Sequence, residues 1–520
     1  MHPCSIRMMR RVASQRLVWL GTVLVAGLVL SVYLSLLPSH LSSANSGTDG
    51  GDLLAAVLTA GVPHPTGYPT YVLLGRLFQD IPLGNPLWRG ALLSAIPAAL
   101  ASALLGAWLW QSQTVIPSIA GNPARPARLP ALVAGAAWGI SPLLLSQAVI
   151  VEVHGLQALC VLLALVWTWL LLQSPSAWGK GYSLVILAFL YGLGLGNHLT
   201  LLLFIPALGA AAGTALRKGL PVRWGLAQLG GLLLGTLVYL YLPLSARQHP
   251  SMNWGNPQTW EGFLWVVSGG PYRELWLGAP AATLADRLLT WFSWLRQQYG
   301  LPGLALGAAG ALLCSQSDRR LMRLLGWVFV SYSLLAILFH TADSIVYLIP
   351  AALVWAVWIA FALWYTWDAR WRGMLWGRWL CFGFCISLLV RFPSVYRQVD
   401  PRTDRRLDEF AQSVLRTAPQ GALVLTQSDP DTFSLWYTHF GLKERPDLAV
   451  VSVSLTGYPW YREMLSHTYP DLVLPQAVPE GDAGWAELLA RRNPQRPVCR
   501  TGLTSEQPIS FTFECQSSSP

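Results

Sequence analysis

Charge is what this 520-residue chain has least of: only 12% of its residues are Asp, Glu, Lys or Arg, and just 25 are acidic. A soluble chain carries about 25% charged residues. So low a share, with 53% hydrophobic residues and a mean hydropathy of +0.43, excludes an ordinary soluble protein and points to the membrane. Cysteine is also scarce, seven in all, and no Cys/His group has zinc spacing. Cys160, Cys314, Cys381 and Cys385 lie in or beside apolar runs, and Cys381-x-x-x-Cys385 reads as helix packing. Cys499 and Cys515 fall in a polar tail, where export would permit a disulfide. Also missing are a Gly-rich phosphate loop, Gly-x-Ser-x-Gly and His-Glu-x-x-His, the marks of P-loop, α/β-hydrolase and zincin chemistry.

What is present is a series of apolar runs, measured against the roughly 20 residues a bilayer needs. They fall at 17–37, 88–110, 129–149, 155–173, 182–196, 199–215, 225–243, 301–315, 324–340, 346–366 and 374–392. The basic residues alternate with them. Arg7, Arg10, Arg11 and Arg16 precede the first run; Arg125 and Arg128, Lys180, Arg217, Lys218 and Arg223, Arg319, Arg320 and Arg323, then Arg370 and Arg372 occupy every second connection. The short opposite connections, at Glu152-Val153-His154, Asn197-His198 and Thr341-Ala342-Asp343, hold no Lys or Arg. The net charge of +10 is therefore a topological signal and not a nucleic-acid patch. It predicts about eleven transmembrane helices, the N-terminus cytoplasmic and the C-terminus extracytoplasmic; the plasma membrane of a bacterium is the expected setting. The basic head and apolar core at the start imitate a signal peptide. The core is too long for an h-region, and a retained first helix is the expectation.

Residues 1–398 are expected to form the membrane domain, with external loops at 38–86 and 244–300. The second loop is Trp-rich, and Leu288, Trp291, Phe292 and Leu295 fall at helical spacing. Such segments suit helices lying in the interface, or a packed loop over the bundle. Residues 399–520 change composition. Ala422–Thr426 and Leu448–Val453 read as buried strands around a helix from Asp431 to Phe440, a small extracytoplasmic α/β domain. The Ser- and Pro-rich end after about 505 reads as frayed.

The chemistry concentrates in the first external loop. Asp49 and Asp52, separated by Gly50 and Gly51, would lie close at a helix start, where like charge raises one pKa. That suits a general base for an acceptor hydroxyl; an Asp N-cap opening the helix Leu53–Thr59 accounts for the same pattern. His64-Pro65-Thr66-Gly67-Tyr68-Pro69 is a turn able to aim His64 and Tyr68 into a pocket. Arg76 and Arg89 are rare external cations, able to hold a lipid phosphate or to anchor at the interface. Glu152, His154, Asn197, His198, His340 and Asp343 all fall at external ends of spans, where ionisable groups are costly and often functional. Asp429-Pro430-Asp431 imitates a metal-holding Asp-x-Asp, but a Pro-containing turn before a helix explains it, and no metal site is expected.

These residues carry a resemblance that covers nearly the whole chain. Asp49-Gly50-Gly51-Asp52-Leu53 resembles the Asp-x-Gly-Glu-Leu of a multi-pass family related to protein O-mannosyltransferases, with Asp52 in place of Glu. His64-Pro65-Thr66-Gly67-Tyr68-Pro69 resembles its His-Pro-Pro-Gly-Tyr-Pro. Arg89 with Leu92-Leu93-Ser94, Glu152-Val153, Gly196-Asn197-His198, Asn253-Trp254-Gly255, Asp343 with Tyr347 and Pro350, and Pro459-Trp460-Tyr461 are further matches. The resemblance implies a GT-C fold and an inverting transferase that takes a monosaccharide from a polyprenyl phosphate, with the first-loop acid as base; no cofactor is expected beyond that donor. Mannose and a protein Ser/Thr or glycan acceptor are its weaker implications. Since Asp52 is one methylene shorter than Glu, Asp49 is the better base. A transporter or flippase of lipid-linked saccharide, and a non-catalytic scaffold whose exported domain binds a partner, are the competing readings. The first would place ionisable groups near the midplane, and the span interiors are nearly free of charge.

Overall fold

The computed structural model describes residues 3–112, 128–173, 181–341, 343–370, 372–475, 482–504 and 510–516. Arg125, Lys180 and Ala342 lie outside the described residues.

The chain opens with α1 (Pro3–Leu34) and passes through a 3-10 turn (Ala44–Asp49) into α2 (Gly50–Thr59) and α3 (Pro69–Gln79). Next come α4 (Pro86–Ser112), α5 (Arg128–Gly139), α6 (Pro142–Ala148), α7 (His154–Leu172), α8 (Tyr182–Leu195), α9 (Ile205–Arg217) and α10 (Val222–Thr236). The second long loop holds α11 (Tyr241–Ala246) and α12 (Trp260–Val267). The bundle then closes with α13 (Leu284–Ser317), α14 (Arg319–Leu338), α15 (Ile349–Thr366) and α16 (Trp376–Val399).

The centre of the bundle is α15, whose side chains from Ile349 to Leu363 are all buried. A helix apolar all round is stable only when surrounded. It touches α13 backbone to backbone, because a Cβ on Gly310 would sit 1.6 Å from the Trp358 carbonyl oxygen. Small residues at such crossings let membrane helices gain contact that lipid cannot offer. On α10, by contrast, Leu226, Leu229, Leu233 and Leu234 point outward, toward lipid.

Among the described residues, eight helices are long and apolar enough to cross a membrane, or nine if α5 and α6, bent by 58°, count as one span. Eleven were expected. The difference lies in α8, which at 14 residues reaches only about 21 Å, and in α13. There the expected interfacial helix and the expected span at 301–315 form one long helix, broken at Gly300, where φ is 68°. Its predicted stripe does not act as one face: Leu295 is buried while Leu288 and Phe292 are exposed.

The C-terminal domain comprises α17 (Arg406–Thr417), β1 (Leu423–Thr426), α18 (Asp429–Trp436), β2 (Ala449–Ser452), α19 (Pro459–Thr468), α20 (Asp482–Arg492), β3 (Val498–Thr504) and β4 (Ser510–Gln516). The sheet order is β2-β1-β3-β4, with β1 parallel to both neighbours and β4 antiparallel to β3. The helix expected from Asp431 starts at Asp429 and gives way to a π turn at Tyr437–Gly441. Asp431 caps that start, its Oδ1 accepting the Ser428 N–H at 2.8 Å. The end of the chain is more ordered than expected. Residues 510–516 form a strand, because Cys515 lies opposite Cys499 and is bonded to it. Residues 505–509 and 517–520 lie outside the described residues.

Candidate active site between the bundle and the C-terminal domain

Two long-range contacts build the site around α2. An isolated parallel bridge joins Val62 to Asn253, with the Val62 N–H donating to Met252 O at 2.8 Å and the Trp254 N–H to Val62 O at 3.2 Å. This lays the second loop along the first. On the other side, α18 packs against α2 so closely that a Cβ on Gly51 would sit 2.3 Å from the Phe433 carbonyl oxygen. The acids are thus held between the membrane bundle and the C-terminal domain.

The two acids have different jobs. Asp52 is completely buried. Its Oδ2 accepts the His64 backbone N–H at 3.0 Å and His64 Nδ1–H at 2.7 Å, and its Oδ1 accepts Trp254 Nε1–H at 2.9 Å. A carboxylate holding three donors is an organiser with no room for substrate. Asp49 occupies the N-cap position of α2 but makes no capping hydrogen bond with its side chain. Its side chain is 39% exposed, and its Oδ2 faces His64 Nε2 at 3.7 Å.

The electrostatics follow from this geometry. Burial alone would lower the His64 pKa, but Asp49 and Asp52 outweigh it and hold the ring up at about 9. His64 is therefore an imidazolium at neutral pH. Asp49 is raised to about 6, first by its enclosed setting, against the opposing charge of His64 and with help from Asp343, Asp52 and Asp429. Such a carboxylate is ionised at neutral pH and more basic than usual, as a general base should be. Glu152 is pushed well above the ordinary carboxyl value by burial and then by the charge of Asp49. Its backbone is locked to Ser94, whose Oγ donates to Glu152 O at 2.8 Å and accepts the Glu152 N–H at 3.1 Å.

A wall of rings continues from His64. Tyr68 lies 5.1 Å from His64 and 6.2 Å from His198, centroid to centroid. His198 lies 5.6 Å from His154 and 5.7 Å from Tyr347. Burial and the neighbouring imidazoles lower His198 to about 3, so this end of the wall is neutral. Asn197, fully buried, ties the wall together by donating to Val153 O at 3.2 Å and Gln157 Oε1 at 3.3 Å. Asn253 donates to Asn256 Oδ1 at 3.3 Å, and Asn256 donates in turn to Glu463 Oε2 at 2.9 Å. Trp254 packs against Trp460 in a tilted pair, centroids 5.2 Å apart, which brings the Pro459-Trp460-Tyr461 motif onto the same cluster.

The structure therefore links Asp49, Asp52, His64, Tyr68, Glu152, His154, Asn197, His198, Asn253, Trp254, Asp343 and Tyr347 into one connected cluster. The recorded contacts of the two arginines lead elsewhere. Arg76 is exposed on α3, near Tyr241. Arg89 donates to Ile81 O at 3.0 Å and neighbours Tyr437. Three residues of the site were not site candidates in the sequence, Asp429 being read there only as part of a helix-starting turn. Phe433 stacks on His64 at 6.3 Å. Asp429, one turn earlier on α18, feels His64 and Asp52. Tyr272, in the second loop, feels the charge of Asp49 more than that of Asp429 or Asp52. No motif marks them, since each reaches the site only through docking of a remote segment. Among the described residues, no group of three or more His, Cys, Asp or Glu is arranged to hold a metal ion.

This architecture is that of a GT-C-type membrane protein. The chain superposes on ArnT from Cupriavidus metallidurans bound to undecaprenyl phosphate with a TM-score of 0.54, covering 92% of both chains at 12% identity. Residues 49–215 match the Protein O-mannosyl-transferase TMEM260 N-terminal domain, and residues 407–482 match TMEM260-associated domain 2. The Protein O-mannosyl-transferase TMEM260 of Mus musculus is 26% identical over 486 residues, 88% of this chain and 65% of the mouse protein. The Dictyostelium discoideum protein of the same name is 25% identical over 289 residues, 51% of this chain and 33% of that one. The chain thus spans just under two thirds and one third of these relatives. The matches bear out the resemblance to the multi-pass family related to protein O-mannosyltransferases.

Proposed function

We propose that this protein is an inverting GT-C glycosyltransferase that moves a monosaccharide from a polyprenyl-phosphate donor to an acceptor hydroxyl, with Asp49 as the general base. The carrying observation is the division of labour on α2. Asp52 is buried and saturated, while Asp49 makes no capping bond, is 39% exposed and is held at about 6 beside an imidazolium. In the reaction, Asp49 takes the acceptor proton as the acceptor oxygen attacks the anomeric carbon. The bond from that carbon to the phosphate oxygen breaks on the opposite face, and the phosphate leaves with the electron pair. His64, fixed by Asp52, keeps Asp49 ionised and aimed. The relatives named as protein O-mannosyl-transferases support mannose and a protein Ser/Thr hydroxyl as the first substrates to test. The basic connections at Arg217–Arg223 and Arg319–Arg323 adjoin the ends of α9 and α14 far from the Asp49 cluster, which supports a cytoplasmic N-terminus and an extracytoplasmic site.

The test is Asp49→Asn in purified protein in nanodiscs, supplied with polyprenyl-phosphate mannose and a Ser/Thr peptide. Losing a general base costs about 10²–10⁴-fold, with the unfolding midpoint unchanged because Asp49 caps nothing. Transfer at the wild-type rate would overturn the assignment.

A further inference from the structure

The end of the bundle remote from Asp49 carries a second feature that the transfer reaction does not use. A cavity of about 310 Å³ opens between α7, α9 and α14. Its position is set by α7, which has His154 of the Asp49 cluster at one end and Leu172 of this cavity at the other. Eighteen residues of helix put them about 27 Å apart, close to the roughly 30 Å hydrocarbon core of a bilayer.

Each helix lines the cavity at helical spacing. On α9 the residues are Ala207, Ala210 and Thr214, small enough to leave a furrow; on α14 they are Arg320, Arg323 and Trp327. Because α9 runs toward this end and α14 runs away from it, Thr214 lies level with the arginines and Ala207 level with Trp327. The furrow is therefore graded. It is cationic at its mouth and apolar about 10 Å deeper, seven residues along α14. Trp327 is fixed as its outer wall by donating to Leu203 O at 2.8 Å. Lys218 adds a third cation at the rim, where its Nζ donates to the carbonyls of Leu172 and Gln173 at the end of α7.

The mouth is uncompensated. Arg320 and Arg323 are exposed, and among the described residues none of the three cations forms an ion pair. The nearest acid in sequence, Asp318, turns its Oδ1 to the N–H groups of Arg320 and Leu321, capping α14. Cations gathered at one membrane face above an apolar furrow match one occupant: a lipid whose phosphate meets the arginines and whose acyl chain follows the furrow.

We propose that this furrow binds an anionic glycerophospholipid from the leaflet opposite Asp49, the phosphate held by Arg320 and Arg323 and one acyl chain lying between Ala210 and Trp327. The site is distinct from any donor site, which has to reach Asp49 at the other face.

The probe is phosphatidylglycerol, with phosphatidylcholine as the neutral control. Both are added to full-length delipidated protein and followed by native mass spectrometry. Wild-type protein should retain phosphatidylglycerol in preference to phosphatidylcholine. Arg320→Gln with Arg323→Gln should weaken that retention about 25-fold, at about fivefold for each basic group near a membrane surface. Ala210→Phe, which fills the furrow and keeps both charges, should weaken it as well, while Asp49→Asn should not. Equal retention of the two lipids, or unchanged retention in the double arginine variant, would overturn the proposal. So would displacement of phosphatidylglycerol by equimolar undecaprenyl phosphate, which would make the furrow a carrier-lipid site.

Discussion

Replacing His64 with Gln removes a positive charge from between two carboxylates while leaving a side chain able to donate to Asp52. The consequence for Asp49 can be worked from the geometry. At 3.7 Å, two unit charges interact by about 4.5 kcal/mol at an effective dielectric constant near 20. Two features reduce that figure. Asp49 is 39% exposed, so water screens the pair, and Asp52 at 2.7 Å already balances much of the His64 charge. About 1.5–2 kcal/mol remains, or roughly 1–1.5 pH units at 1.36 kcal/mol per unit. The sign is fixed: the cation favours ionised Asp49, so its loss raises the Asp49 pKa.

In wild-type protein, kcat/KM for transfer should rise with pH through about 6 as Asp49 ionises, and fall again through about 9 as His64 loses its proton. In His64→Gln the acid limb should move up to about 7–7.5, and the limb near 9 should disappear. The assay is the pH profile of transfer from 5 to 10. A substrate-free check follows the carboxylate infrared band of labelled Asp over the same range. An acid limb still at 6 in the Gln variant would refute the pairing of Asp49 with His64 as the source of its basicity.

Trp254→Phe keeps the ring against Trp460 but deprives buried Asp52 of its Nε1–H donor. A hydrogen bond to a charged group contributes about 1.5–3 kcal/mol, so the unfolding midpoint in detergent should fall measurably, and an unchanged midpoint would contradict the organising role of Asp52. Gly51→Ala places a methyl 2.3 Å from the Phe433 carbonyl oxygen. The C-terminal domain should loosen from α2, seen as faster hydrogen exchange in α18 with the exchange of α15 unchanged; wild-type exchange in α18 would show that the close contact is not needed.

The membrane architecture was readable because burial in lipid imposes long apolar runs, and the acids stood out because the chain has so few. Their separate roles were not readable. Nothing local distinguishes a saturated Asp52 from an open Asp49, since the difference lies in a Trp indole 202 residues away. The N-cap explanation of Asp49 failed for a similarly nonlocal reason: its side chain turns to His64, not to the first N–H groups of α2. Asp429 was set aside as part of a helix-starting turn. It is that, yet the packing of α18 on α2 also brings it toward His64. The strand at 510–516 escaped notice because polar residues flank it, and pairing with β3 across the Cys499–Cys515 bond defines it.

The joining of the first loop to the second has a consequence for biogenesis. Asp52 leaves the ribosome 202 residues ahead of Trp254, which at roughly 5–20 residues per second is a delay of about 10 to 40 s. Phe433, which closes the other side of α2, arrives later still. Throughout that interval the earliest helices can already sit in the bilayer with Asp49 and Asp52 unorganised. Whatever chemistry the site performs is withheld from the nascent chain until the C-terminal domain folds back onto α2.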